Sequence, residues 1–481
     1  MLKRFLKDSF VYGIGNILTK GISLFLLPVY VKVLSPEDYG VIDFLLVLFT
    51  LVGVFFSLEI YQAIARYYHE FKDINERKEY LSTAFLFISI SYLLFTVLII
   101  LSSKKISLNV FNTYSNAELP VDISLAAVST YFSTLYSFSG SILRYGFKVK
   151  IFALCSFINS ITTIVLSIVF VVWLHYGIRG IFLGQLIGNT LAFSVAFYNS
   201  KDNFFLYFNT KKLKFLLRYS LPLIPSSIGV FLLAYLDRII IKYFLTITDL
   251  GIYGVANRFS SVASLIMMGL STAITPLIYA NYKKDSTPEE IAVIFSFLSS
   301  FIIIFVSGIT LFSNEILYVF TAPAYYKASV LFPFLFLAGF LSKMYDFTPG
   351  LSIAKKTKTI AIVYIFGAFV TVLLDLLSIK RFGILSVAVV NLFSALLVFI
   401  VNFIFSQKYY KINYRLKSIF ITCPLCVVLM LIAHRYFFEI TLFSILCKLG
   451  ILLLIISLPF VLRIVDIAYI TKAINLRKIK T

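Results

Sequence analysis

Charge is scarce in this sequence. Only 14% of its 481 residues are Asp, Glu, Lys or Arg, against 60% that are hydrophobic, whereas ordinary globular domains carry roughly 25% charged residues. A water-soluble core cannot absorb that excess of Leu, Ile, Phe and Val, so a soluble globular protein is excluded. Histidine is rarer still: His69, His175 and His434 are scattered at the ends of apolar runs, which gives no clustered catalytic or metal-binding set. The four cysteines, Cys155, Cys423, Cys426 and Cys447, lie in or beside apolar runs. Cys423-Pro-Leu-Cys426 has the spacing of a redox motif without the βαβ surroundings that motif needs, and it reads as ordinary packing. Long hydrophilic segments are missing as well; the longest, at 103–121 and 200–214, are too short to fold into a catalytic, nucleotide-binding or receptor domain. No P-loop occurs, so the chain has no means of hydrolysing ATP.

What the sequence has is long apolar stretches. They fall at about 9–34, 40–65, 80–102, 122–143, 150–174, 178–199, 215–245, 250–279, 290–313, 328–350, 359–379, 383–406, 418–437 and 442–465. Each is long enough, at about 20 residues, to cross ~30 Å of hydrocarbon as a helix. They are twice the length of a barrel strand and do not alternate, so strands are set aside. The basic start, MLKRFLK, leads into the first of them without the short apolar region and small-residue site of a cleaved signal, and we expect a retained first helix. The sequence thus predicts an all-α integral membrane protein with about 14 transmembrane helices.

Lys and Arg outnumber Asp and Glu by 43 to 22, and their positions explain the excess. Of the 43, 29 fall in the N-terminal segment, in alternate loops such as 66–78, 144–150, 201–218 and 408–417, and in the tail from Arg463 to Lys480. The positive-inside rule places that side, with both termini, in the cytoplasm. The excess is then a topology signal with some attraction to anionic lipid heads, and nucleic acid is not expected as a partner.

An internal repeat organises the helices. VLSPEDYGVI at 33–42 aligns with FLTITDLGIY at 244–253, placing Asp38 on Asp249 and Gly40 on Gly251 at an offset of 211. Six helices separate the copies, so both run the same way through the membrane, as in transporters built from parallel halves. The expected divisions are an N-lobe of helices 1–6 at 1–200, a cytoplasmic linker at 201–214, a C-lobe of helices 7–12 at 215–407, and helices 13–14 with a basic cytoplasmic tail at 408–481.

The stretches GIGNILTKGISLFLLPVYVKVLSPEDYGV and YLDRIIIKYFLTITDLGIYGVANRF, one opening each lobe, resemble the polysaccharide transporter branch of the multidrug/oligosaccharidyl-lipid/polysaccharide exporter superfamily, the Wzx-type flippases. The resemblance covers the whole chain. It implies alternating-access translocation of undecaprenyl-pyrophosphate-linked oligosaccharide units across a bacterial inner membrane, for O-antigen, lipopolysaccharide, capsule or exopolysaccharide synthesis. It also implies work beside a polysaccharide polymerase and a chain-length regulator, with no cofactor beyond a coupling proton or sodium ion, no metal and no enzymatic activity.

Charged residues inside membrane helices are functional candidates by default. Asp237 and Arg238 interrupt an apolar run about 12 Å below the end of helix 7, at 1.5 Å per residue. With the turn to helix 8 centred between Ile247 and Thr248, Arg258 is level with Asp237. We therefore expect an Asp237–Arg258 ion pair with Arg238 directed elsewhere, serving as a structural clamp or as part of an anion-binding cavity. Lys20 is mid-helix, too deep for easy snorkelling, and is expected to face the cavity and bind the pyrophosphate, since fixed cations replace its lost hydration. Lys343 is a further cavity candidate or a local partner of Asp346. Glu59 and Asp375 are candidate ion-coupling sites, and Asp43, near the outer interface, reads as structural. Two other functions stay open: a cation-coupled multidrug exporter of the same fold, which would favour an acidic cavity, and a membrane-embedded polymerase or glycosyltransferase, which would need a larger loop.

Overall fold

A computed structural model describes residues 24–462 apart from Phe25, Lys72, Thr113, Ser115, Arg415 and Phe438. Among the described residues every regular element is helical. The chain divides into two compact units, Met1–Gly254 and Val255–Thr481. The first contains α1 (Pro36–Ser57), α2 (Ile60–Tyr67), α3 (Ile74–Val110), α4 (Leu119–Tyr145), α5 (Val149–Ile168), α6 (Gly177–Ser200), α7 (Thr210–Ser220), α8 (Ile224–Phe244) and the start of α9 (Ile247–Asn281). The second contains the rest of α9, then α10 (Thr287–Leu311), α11 (Ser313–Phe320), α12 (Phe332–Leu341), α13 (Gly350–Ile353), α14 (Thr357–Tyr409), α15 (Leu416–Tyr436) and α16 (Leu442–Val461).

Nine helical stretches among the described residues are long and apolar enough to cross a membrane, and each expected span from 40–65 onward falls on a described helix or a series of them. The protein is an all-α integral membrane protein. The span expected at 9–34 lies mostly outside the described residues, as does Lys20. The spans at 359–379 and 383–406 run together as α14, divided at Gly383, whose φ of 61° is the left-handed conformation that only glycine adopts without strain.

The breaks within spans have local causes. Pro222 and Pro225 carry no amide hydrogen to continue a helix, and a 3₁₀ turn, Leu221–Leu223, separates α7 from α8 there. The segment expected to be a linker at 201–214 is pinned to α3. The Phe205 amide donates to Ser82 Oγ at 3.0 Å, the Asn209 side chain caps α7, and Lys212 pairs with Glu79 beneath the Tyr80 ring. The span at 40–65 is interrupted where Leu58 and Glu59 both take positive φ, 47° and 54°, a conformation that costs roughly 1–2 kcal/mol for each residue bearing a Cβ. In the core of unit 1, Phe85 is central: Phe138, Phe197 and Phe204 lie with ring centres 5.7, 5.5 and 5.0 Å from it.

The repeat is written into the helix starts. Ser35 caps α1 in a reciprocal box with Asp38, at 3.0 and 3.1 Å. Thr246 and Asp249 form the same box at α9, at 3.3 and 3.1 Å. Both boxes satisfy amides that the first helical turn leaves without partners. Within unit 1 the two copies also touch through their own equivalents. Thr248 Oγ1 donates to Glu37 Oε1 at 3.2 Å, across 211 positions. A Cβ on Gly40 would lie 3.1 Å from the Gly251 nitrogen, and one on Gly251 would lie 3.1 Å from the Gly40 nitrogen. A Cβ on Gly254 would lie 3.2 Å from Asp43 Oδ2. Residues 37, 40 and 43 share one face of α1. Within unit 1, then, α1 and the start of α9 meet through equivalent positions of the repeat.

Candidate functional site

Beside the α1–α9 contact, unit 1 gathers four polar side chains from three helices. Asp43 stands on α1, Asp237 and Arg238 on α8, and Tyr253 on α9. Arg238 Nε lies 2.8 Å from Asp43 Oδ2, and its Nη1 lies 3.8 Å from Asp237 Oδ1. Nη1 also donates to the Ala234 carbonyl at 3.0 Å. Tyr253 Oη donates to Asp237 Oδ2 at 2.6 Å, and the guanidinium lies over the Tyr235 ring, 5.2 Å from its centre. The side chains of Arg238, Asp43 and Asp237 are only 12%, 16% and 10% exposed. A charge buried that far is tolerated when paired and costly when a partner is removed. Adjacent acid and base in an apolar helix are therefore affordable here because a second acid and a phenol reach them from neighbouring helices.

Within unit 1 the neighbours of Asp237 are Tyr253 and Arg238, whereas its expected partner Arg258 belongs to unit 2. α8 ends at Phe244 and α9 begins at Ile247, so the turn is Leu245 and Thr246, two residues earlier than the sequence suggested. Counting outward from the turn, Asp237 is eight residues before Leu245 and Tyr253 is seven after Thr246, which puts Tyr253 within one residue of its level. The Thr246–Asp249 capping box is the signal that locates this turn. Arg238 stands beside both Asp237 and Asp43, and Asp43 is the residue that sequence reasoning left out of the site.

The other candidates are dispersed. Glu59 is half-buried at the left-handed break after α1, where its amide donates to Ser57 Oγ at 3.4 Å. Arg258, Lys343 and Asp375 all belong to unit 2. Arg258 is half-buried on α9, Lys343 is half-buried between α12 and a 3₁₀ turn, and Asp375 is buried on α14. The Asp346 amide donates to the Lys343 carbonyl at 3.3 Å, a bond between main-chain groups. Among the described residues no group of three or more His, Cys, Asp or Glu side chains could hold a metal ion, and all four cysteines are free thiols.

At the hairpin tip, Tyr114, from the loop between α3 and α4, donates to the capping carboxylate of Asp38. Burial, and then that hydrogen bond, pushes the Tyr114 phenol up from its ordinary pKa, which keeps it a donor. Arg179 fastens the start of α6 to that of α4 by bonds of 3.1 Å to both Asp122 and Glu118.

Solved membrane proteins share this architecture. The fold matches the lipid II flippase MurJ in an inward closed conformation, with a TM-score of 0.69 at 19% identity over 93% of this chain and 98% of that one. It also matches an inward-facing multidrug resistance transporter of the MATE family, in the MOP superfamily, with a TM-score of 0.61 at 16% identity over 82% and 94% of the two chains. In sequence the chain is 24% identical over 421 residues to an uncharacterised membrane protein of Methanocaldococcus jannaschii, covering 82% of this chain and 96% of that one. It is 25% identical over 289 residues to Lsg locus protein 1 of Haemophilus influenzae, covering 58% and 67%. The polysaccharide biosynthesis protein family matches residues 5–282, more than half of the chain, and the chain belongs to that family.

Proposed function

We propose that the protein is a flippase that carries undecaprenyl-pyrophosphate-linked oligosaccharide units from the cytoplasmic to the periplasmic leaflet of a bacterial inner membrane, with both termini cytoplasmic, for a surface polysaccharide such as O-antigen or capsule. The observation that carries this reading is the conjunction of membership in a polysaccharide biosynthesis family with a transporter fold. The parallel repeat supports alternating access as the mode of transport. A diphosphate carries about two negative charges and cannot cross hydrocarbon bare. Lys20, Arg258 and Lys343 supply the cations that receive it. Arg238 already has two carboxylates beside it, so Asp237 and Arg238 serve by closing the α1–α8–α9 contact. Glu59 and Asp375 are the candidates for a coupling proton or sodium ion. The polymerase and chain-length regulator act as neighbours, and the chain itself breaks no covalent bond.

The test is complementation of a flippase-deficient bacterium that has a matched glycan pathway. The wild type is expected to restore periplasmic exposure of lipid-linked units, and Lys20→Ala and Arg258→Ala to lose about tenfold or more of it at normal abundance. No exposure from the wild type, with efflux of cationic dyes instead, would replace this reading with a multidrug exporter.

A further inference from the structure

Beyond Asp43, the next turns of α1 form one wall of a cavity of about 410 Å³ inside unit 1, within the range of about 300–1,000 Å³ usual for small-molecule sites. The other walls come from α2, α3, α4 and α6. Nine of its thirteen lining residues carry a hydroxyl or carboxamide group, and none is charged. Polar side chains in a membrane-embedded bundle are expensive unless they line a functional cavity. A lining without charge offers little to a diphosphate or to a bare cation. It suits a neutral molecule that both donates and accepts many hydrogen bonds.

The lining is also preorganised. Tyr61 Oη donates to the Thr134 carbonyl at 3.2 Å, and Tyr92 Oη donates to the Gly53 carbonyl at 3.2 Å, which fixes both rings. The Asn189 carboxamide accepts from Asn159 Nδ2 at 2.9 Å and donates to the Ser129 carbonyl and hydroxyl at 3.3 and 3.2 Å. Ser133 and Gln185, by contrast, line the cavity with side chains that make no hydrogen bond to the described residues. Their hydroxyl and carboxamide supply donors and acceptors for an occupant, beside fixed aromatic rings that can cover its apolar face.

We propose that this cavity is a glycan subsite, which holds an uncharged sugar ring of the lipid-linked oligosaccharide by hydrogen bonds from Ser133 and Gln185. The assignment rests on the flippase reading above, and it separates two tasks: cationic residues take the diphosphate, and the uncharged cavity takes sugar. Ser133 and Gln185 are therefore specificity-determining residues.

The test compares two probes on the full-length protein in lipid nanodiscs: bare undecaprenyl diphosphate, and a panel of the same lipid diphosphate carrying neutral hexose oligosaccharides. The wild type is expected to bind at least one glycosylated probe about tenfold more tightly than the bare lipid. In the Ser133→Val/Gln185→Leu double variant that advantage is expected to vanish while affinity for the bare lipid stays unchanged, as two lost hydrogen bonds to the sugar would dictate. Ser133→Thr, which keeps the hydroxyl, is expected to retain it. Equal binding of every probe by the wild type, or an undiminished advantage in the double variant, would show a merely hydrated cavity and overturn the proposal while leaving the flippase reading standing. If the wild type binds neither kind of lipid, the flippase reading fails, and the subsite falls with it. Should the double variant not fold, the single Ser133→Val gives the same comparison from one hydroxyl.

Discussion

The two hairpins that open the repeats have the same frame and opposite interiors. In each the second helix, α1 or α9, begins with a hydroxyl–aspartate capping box, Ser35–Asp38 or Thr246–Asp249, and each presents a glycine, Gly40 or Gly251, to the other. Their charges are not shared. Positions 211 before Asp237 and Arg238 hold Leu26 and Leu27, which are buried and apolar. The position 211 after Asp43 holds Gly254. The comparison teaches that backbone symmetry is maintained by caps and close glycine contacts, while a single ionic knot is assembled from non-equivalent positions of the two copies. A symmetric arrangement would place two such knots together, with two buried arginines and four buried carboxylates.

The sharpest way to break the symmetry is at the glycines. A Cβ on Gly251 would lie 1.8 Å from the Pro36 carbonyl oxygen, a clash with backbone that no rotamer change relieves. Gly251→Val should exceed the roughly 1–3 kcal/mol of ordinary overpacking and abolish accumulation of folded protein, read by size-exclusion chromatography in detergent. The knot comes next. Arg238→Leu leaves two carboxylates with little compensation and should cost about 3–5 kcal/mol, seen as a lowered thermal unfolding midpoint. Asp43→Gly should cost less, because Asp237 still faces the guanidinium. Adding Gly254→Asp to Asp43→Gly moves the carboxylate across the α1–α9 contact, and recovery of part of the lost midpoint would show that the knot depends on position near that contact more than on the helix of origin. The smallest effects belong to the caps: Ser35→Ala and Thr246→Ala should each cost about 1 kcal/mol, and nearly equal losses would confirm that the two boxes are equivalent.

Much of this was legible in the residues themselves. Long apolar runs dictate helices, because a backbone in hydrocarbon must satisfy its own polar groups. The alignment of Asp38 with Asp249 and of Gly40 with Gly251 marked the repeat, and the structure shows those positions meeting or capping in parallel. The partner of Asp237 was harder to read. A turn displaced by two residues moves the position level with Asp237 from Arg258 to Gly254, next to Tyr253, since depth in a hairpin changes by about 1.5 Å per residue on both arms. Asp43 drew no attention as a partner because it lies nearly 200 positions from Arg238 in the chain, and sequence separation gives no distance across a bundle. The break at Leu58–Glu59 had no signal either, since neither residue favours a left-handed backbone.

By itself the sequence determined that this chain lives in a membrane, that it is helical, and that its helix starts repeat at an offset of 211. These follow from composition and periodicity, which act locally along the chain. Only the tertiary structure decided that Arg238 belongs to Asp43, that Asp237 belongs to Tyr253, and that uncharged polar side chains from five helical segments surround one cavity. Those outcomes depend on which faces of distant helices meet, and a face-to-face meeting is settled by close packing at a few small residues rather than by any run of sequence.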